Sequence, residues 1–303
     1  MGKTYKNCRL CARNCRVDRT AGVRGFCGMT DKIYLCRAAL HFWEEPIISG
    51  TRGSGTVFFS GCSLRCTYCQ NREISRAEYG EEVSTARLST IFRELESSGA
   101  HNVNLVTPTH FVPSIVCAID KARSEGLSVP IVYNTASYET DECLDLLRGR
   151  VDVFLPDLKY YKSETSLSYS AAKDLPAVSK NAIDRMVAMT GAPVLNSEGI
   201  ITRGTVVRIL LLPSHVAEAK LNLRYLYEKY GNSIYISLMS QYTPPKDMPP
   251  PLDRRVTHAE YRELVSYAER IGVVNAFTQE REAARESFIP PFDNTGVLSP
   301  CKK

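Results

Sequence analysis

The residues best suited to chemistry are cysteines, and their spacing says more than their number. Eleven occur among 303 residues. Cys62, Cys66 and Cys69 form a Cys-x3-Cys-x2-Cys run inside Gly61-Cys62-Ser63-Leu64-Arg65-Cys66-Thr67-Tyr68-Cys69-Gln70-Asn71. Cys8, Cys11, Cys15 and Cys27 crowd the N-terminus, with Cys36 just beyond. An odd count with eight in two tight groups, and Cys117, Cys143 and Cys301 alone, fits a secreted disulfide framework poorly and fits metal or cluster ligation in a reducing compartment well. Three thiolates set against the four irons of a cubane [4Fe–4S] cluster leave one iron open, as catalytic zinc sites keep one position open for inner-sphere chemistry. A structural zinc would need a fourth ligand from elsewhere. Four N-terminal thiolates suffice for zinc or for a second [4Fe–4S] cluster; spacing does not choose between them, and Cys36 could replace one ligand.

These residues need a scaffold, and the rest of the chain supplies its rhythm. Residues 1–50 are a Cys- and Arg-rich extension with little periodicity, and 51–303 are expected to form one α/β unit with a C-terminal tail. Strands are expected at 55–61, 102–106, 130–133, 151–158, 206–212 and 233–239, with 272–277 a short last one. Helices with apolar faces alternate with them: Leu88, Ile91, Phe92 and Leu95; Val112, Ile115, Val116 and Ile119; Val216, Ala219, Leu223, Leu226 and Tyr230. Residues 141–147 are expected to form a short helix and 191–204 irregular structure. Ser214 is an expected N-cap, and Thr257 with Glu260 an expected capping box. Repeated strand-then-helix units predict a parallel sheet, here a partial (β/α)6 barrel, with a doubly wound sheet as the alternative; both gather functional loops at the strands' carboxyl ends.

Composition excludes other classes. With 44% hydrophobic and 23% charged residues the chain is expected to be globular. The start leads into Cys and Arg rather than an apolar stretch, and no apolar run approaches a membrane span, so a cytoplasmic, membrane-free protein is expected. A net charge of +5 is too small to argue for nucleic acid. Gly53-x-Gly55 lacks the remainder of any phosphate-binding fingerprint.

The 61–71 segment resembles the radical S-adenosylmethionine (SAM) superfamily and, within it, proteins related to the pyruvate formate-lyase activating enzyme; cysteines ahead of the barrel are similar to one branch of that enzyme's homologues. The resemblance implies that Cys62, Cys66 and Cys69 bind a [4Fe–4S] cluster whose fourth iron is chelated by SAM. It also implies a reductant such as flavodoxin or ferredoxin, reductive cleavage to a 5′-deoxyadenosyl radical, and hydrogen abstraction from a protein, peptide or small-molecule substrate. Tyr68 is then expected near the adenine. A Gly-Gly-Glu segment common in the family is missing from 104–110, where Thr107 and Thr109 are the available acceptors or else a simple cap. Asn134 and Ser137 could meet the ribose or methionine of SAM. The resemblance implies Asp157 and Lys159 in the SAM pocket, two residues apart and so on one side of a strand. Arg208, a charge inside an apolar strand, must be paired or bind an anion such as the SAM carboxylate. His215 is a candidate donor. Gln241 and Tyr242 are candidate substrate contacts, with Asn275, Phe277 and Gln279 a weaker set, and Cys301 a candidate reactive thiol. The 41–46 segment, which carries the chain's single Trp, either packs the extension onto the barrel or brings its acids to the cluster. Alternative functions are a glycyl-radical-enzyme activase, a non-catalytic electron-transfer or regulatory iron–sulfur protein, and a zinc-stabilised interaction module.

Overall fold

The computed structural model describes residues 2–77, 79–278 and 289–298; Gln279 and Cys301 lie outside the described residues. The strands are β1 (Ile33–His41), β2 (Ser54–Phe59), β3 (Glu81–Val83), β4 (Val103–Val106), β5 (Ile131–Thr135), β6 (Val153–Pro156), β7 (Val194–Leu195), β8 (Ile201–Leu210), β9 (Tyr235–Met239) and β10 (Ala276–Thr278). The helices are α1 (Gly2–Lys6), α2 (Pro46–Ser49), α3 (Arg72–Ser75), α4 (Thr85–Ser97), α5 (Val112–Ser124), α6 (Asp141–Leu147), α7 (Ser163–Ser170), α8 (Leu175–Thr190), α9 (Val216–Tyr230) and α10 (His258–Ile271).

The sheet runs β10-β9-β8-β6-β5-β4-β2-β1-β3, with β7 paired to β8. From β2 to β10 every neighbour on this path is parallel, and the strands follow one another in chain order. A doubly wound sheet would reverse that order at a switch point; this one does not. β1 and β3 extend it antiparallel, so the sheet is mixed, and its hydrogen-bonded path is open among the described strands.

The two faces of the sheet are built differently. On one, Leu88, Ile91, Phe92 and Leu95 of α4 and Val112, Ile115, Val116 and Ile119 of α5 pack with Val57, Phe59, Leu105, Ile131, Tyr133 and Phe154. Each fully buried aliphatic or aromatic side chain here contributes about 1.5–3 kcal/mol. On the other, Ile47 and Ile48 of α2 sit against Val132, Val153, Leu155, Ile201 and Val206. Two residues along from this apolar layer, on the same face, the strands carry Asn134, Asp157 and Arg208. The N-terminal segment thus supplies both β1 and the α2 plug to the sheet formed by residues 54–278, across the expected boundary at residue 50.

Two expectations need correcting. The 191–204 segment is not irregular: Val194–Leu195 and the start of β8 form an antiparallel hairpin, because the Asn196 side chain accepts the Glu198 and Ile200 amides and turns the chain. Ser214 does not cap α9. It sits at φ +65°, its amide donates to Glu260 Oε1 at 2.7 Å, and His215 occupies the N-cap without a side-chain cap bond. The Thr257–Glu260 capping box is formed. Among the described residues no helix is long and apolar enough to cross a membrane.

Candidate active site

The 62–69 loop leaves β2 at its carboxyl end through Gly61, at φ +84°. A Cβ there would lie 2.5 Å from Met29 Cγ and 2.7 Å from the Cys27 carbonyl, so only glycine lets the N-terminal segment pack this closely. The loop is pinned by its own amides and by α7. Leu64 N–H donates to Cys62 Sγ at 3.4 Å, Thr67 N–H to the Tyr169 carbonyl at 2.8 Å, and the Ser170 hydroxyl to Cys66 Sγ at 2.8 Å. Tyr68 is buried edge-on against Tyr160, Tyr169 and Tyr242, and the Tyr160 hydroxyl donates to the Tyr68 hydroxyl at 2.9 Å.

Cys62, Cys66 and Cys69 line one open cavity, with an empty volume near 1410 Å³ including its solvent-facing mouth. Tyr68, Thr107, Asn134, Asp157, Lys159, Arg208, Gln241 and Tyr242 line the same cavity. Its floor is a buried ionic network. Arg208 donates through Nε to Asp157 at 2.7 Å, through Nη2 to Asn134 at 2.6 Å and through Nη1 to Glu44 at 3.3 Å. Lys159 Nζ donates to the other Asp157 oxygen at 2.6 Å. Asn104 and Asn134 each donate to Glu44 Oε1, at 3.2 and 3.3 Å.

Burial and pairing compete at each of these groups. Burial raises the Asp157 carboxyl, but the Arg208 and Lys159 cations outweigh it and hold the group below its usual range. Burial works against the charges of Arg208 and Lys159, and the facing carboxylates more than offset it, so both stay cationic. For Glu44 and Glu45 burial wins over Arg208 and the carboxyls are raised. Burial also pushes the Cys69 thiol up to about 12 and raises Cys66.

Three candidates are not brought to this cavity. Thr109 lies in the 3₁₀ turn Thr109–Phe111 and donates to buried Glu139 at 2.6 Å. Ser137, at φ +60°, is buried with its hydroxyl unpartnered, while Ala136 takes the lining position. His215 turns to the Pro213 carbonyl, at 2.7 Å, and stands edge-on to Tyr169, beside a separate small cavity. Reasoning from sequence missed Ser170 and Tyr160, for which no local signal exists, and left Glu44 as one of two readings for the acids of 41–46. The structure also lines the cavity with His41, whose imidazole burial lowers to about 4.

The N-terminal cysteines gather separately. Cys11 interacts electrostatically with Cys8, Cys15 and Cys27, and Cys27 with Cys8 and Cys15. Cys36 is apart from them, packed with Phe58, Ile74 and Phe292, its thiol donating to the Tyr79 carbonyl at 3.5 Å. Among the described residues, no three or more Cys, His, Asp or Glu side chains close around one metal-ion position. The Cys62, Cys66 and Cys69 set nevertheless fits a cluster: three sulfurs from one loop face open space, each with a hydrogen-bond donor or cation nearby, and iron would deprotonate thiols that burial alone keeps neutral.

Comparison with known proteins agrees with the fold. A protein of Methanocaldococcus jannaschii described only as uncharacterized is 27% identical over 277 residues, covering 88% of this chain and 75% of its own length. The crystal structure of Streptococcus suis SuiB bound to S-adenosylmethionine matches with a TM-score of 0.50 and 13% identity over 73% of this chain and 49% of SuiB. HydG, a maturase of the [FeFe]-hydrogenase, matches with a TM-score of 0.51 and 17% identity over 78% of this chain and 53% of HydG. The chain therefore spans about half the length of these solved structures, with which it shares a fold. The family model of the radical SAM superfamily matches residues 56–217, more than half of the chain and the whole stretch from the 62–69 loop through Arg208, and the chain belongs to that superfamily.

Proposed function

We propose that the protein reductively cleaves SAM and uses the resulting radical to take a hydrogen atom from a protein, peptide or small-molecule substrate. The observation that carries this reading is the convergence of Cys62, Cys66 and Cys69 with a buried set of fixed charges on one cavity. A [4Fe–4S] cluster on the three thiolates would supply one electron to SAM, splitting it into methionine and a 5′-deoxyadenosyl radical.

The protein's own residues bind and orient. Lys159 uses one bond on Asp157 and keeps its remaining protons for the cavity, so it suits the carboxylate of SAM. Asp157 is held ionised and suits an ammonium. Arg208 serves chiefly to hold Asp157, Asn134 and Glu44 in place, since three of its N–H groups are already committed. Tyr68, buried among tyrosines, offers an apolar wall for adenine. The Tyr242 hydroxyl is engaged by the Leu252 carbonyl at 2.6 Å, so its ring is the part that faces substrate, beside the amide of Gln241. SuiB, which shares the fold, is seen bound to SAM, in line with this use of the cavity.

The test is anaerobic reconstitution with iron, sulfide, SAM and a strong reductant, followed by quantification of 5′-deoxyadenosine. Deoxyadenosine from the wild-type protein and none from Cys66→Ala is the expected result. Absence of SAM binding by the reconstituted protein would overturn the reading and favour an electron-transfer role.

A further inference from the structure

The four N-terminal cysteines are the largest set of soft donors that SAM cleavage does not use. A left-handed turn organises them: Asn14 and Arg16 sit at φ +47° and +56°, Asn14 N–H donates to the Cys11 carbonyl at 3.0 Å, and Arg16 N–H to the Cys8 carbonyl at 2.9 Å. Cys8 N–H donates in turn to Val17 at 3.1 Å. Gly25 closes the far side. A Cβ placed there would be 3.5 Å from Cys15 Sγ and 3.8 Å from Cys27 Sγ, so one backbone position touches two of the sulfurs.

Every sulfur in the group faces a donor. Phe26 N–H donates to Cys15 Sγ at 3.3 Å, and Arg19 Nη1 lies 3.8 Å from Cys8 Sγ. The backbone amides of Arg13 and Met29 are the hydrogen-bond donors to Cys11 and Cys27. These amides lie two residues beyond their cysteines, the same offset by which Leu64 serves Cys62 and Asn71 serves Cys69. Hydrogen bonds to sulfur of this kind hold and tune metal-bound thiolates.

The choice of metal follows from the arrangement. All four donors are sulfur. Four thiolates match the four irons of a cubane, and their amide donors repeat the offset seen in the 62–69 loop, whose three cysteines suit such a cluster.

We propose that Cys8, Cys11, Cys15 and Cys27 hold a second [4Fe–4S] cluster, one thiolate to each iron. Such a cluster has no open position; it binds no SAM and can exchange only electrons. The segment that would hold it packs directly against the 62–69 loop. Arg13, between two of its ligands, donates to the Ser63 carbonyl at 2.8 Å and to the carbonyl of Ser170 at 2.9 Å, and the Ser170 hydroxyl is the donor to Cys66. The Cys27 carbonyl meets Gly61 at the root of the same loop.

The test uses the full chain carrying Cys62→Ala, Cys66→Ala and Cys69→Ala together, which leaves the N-terminal group untouched. After anaerobic reconstitution it should hold about four irons and four sulfides per chain, with an electron paramagnetic resonance signal on reduction that SAM does not alter. The wild-type protein should hold about eight irons, and a Cys11→Ala/Cys15→Ala variant about four, with a signal that responds to SAM. Zinc in the triple variant, no bound iron in a triple variant whose circular dichroism matches wild type, or a wild-type content of about four irons overturns the proposal. A triple-variant signal that shifts with SAM overturns the closed coordination. A Cys11→Ala/Cys15→Ala signal indifferent to SAM counts against SAM binding at the 62–69 loop alone.

Discussion

The 62–69 loop and the N-terminal loop solve the same local problem and differ in what faces them. Both aim backbone amides at cysteine sulfurs, two residues on from Cys62 and Cys69 in one and from Cys11 and Cys27 in the other. The first presents three cysteines to an open cavity floored by Arg208, Asp157, Lys159 and Glu44. The second packs four cysteines against their own turn, with Arg13 stacked 3.9 Å over Phe26 and Arg65 at 5.3 Å from the same ring. The two loops share the donor geometry around sulfur; the number of cysteines and what faces them set the two apart.

The sharpest way to break this contrast is Cys66→Ala. Deoxyadenosine formation should fall roughly a thousandfold or more; product at the wild-type rate would mean that the open loop is not where SAM reacts. Next in size is Arg208→Leu, which removes the buried cation shared by Asp157 and Glu44 and leaves Asp157 only Lys159. It should cost about 3–5 kcal/mol in denaturant-induced unfolding and weaken SAM binding in a titration. An unchanged midpoint would show that the network under the cavity is solvated and that the two loops differ less than their surroundings suggest.

Ser170→Ala removes a hydroxyl donor to Cys66 Sγ while leaving its carbonyl for Arg13. Deoxyadenosine formation should drop about 10- to 100-fold, and the potential of the cluster on the 62–69 loop should fall, since a lost hydrogen bond to sulfur disfavours the reduced state. An equal shift at the N-terminal site would place Ser170 outside the contrast.

The smallest effect concerns His110, which lies between the two loops. Its imidazole meets the Ser60 carbonyl, and its own carbonyl accepts from Arg19. Burial first, and the Arg19 charge second, lower its pKa to about 3. The unfolded chain therefore takes up a proton near pH 6.5 that the folded chain refuses, and stability present above that pH is lost as pH falls towards 3, by at most about 1.4 kcal/mol per unit. Denaturant unfolding between pH 7 and 4 should show a shallower acid slope for His110→Gln than for wild type.

Sequence alone determined what depends on near neighbours. The Cys-x3-Cys-x2-Cys spacing, the apolar faces of α4, α5 and α9, the bounds of α6 and the Thr257–Glu260 capping box are all properties of a few consecutive turns, and the structure contains each of them. Arg208 could be singled out because a charge in an apolar strand must find a partner, and Asp157 through the family resemblance. Sequence did not show that the partner of one is the other, 51 residues away, with Glu44 completing the set across 164. The misplaced candidates share one cause. Thr107, Ser137 and Ser214 all adopt left-handed backbone, at φ +57°, +60° and +65°, just beyond the ends of strands or at the start of a helix. A non-glycine residue in that region carries no reliable sequence signal and turns the next side chains to a new side. Thr109, Ser137 and His215 consequently leave the cavity that their position along the chain suggested. Tertiary packing instead delivers Ser170 from α7 and Glu44 from just ahead of α2, because only the assembled sheet brings these two segments to the same cavity.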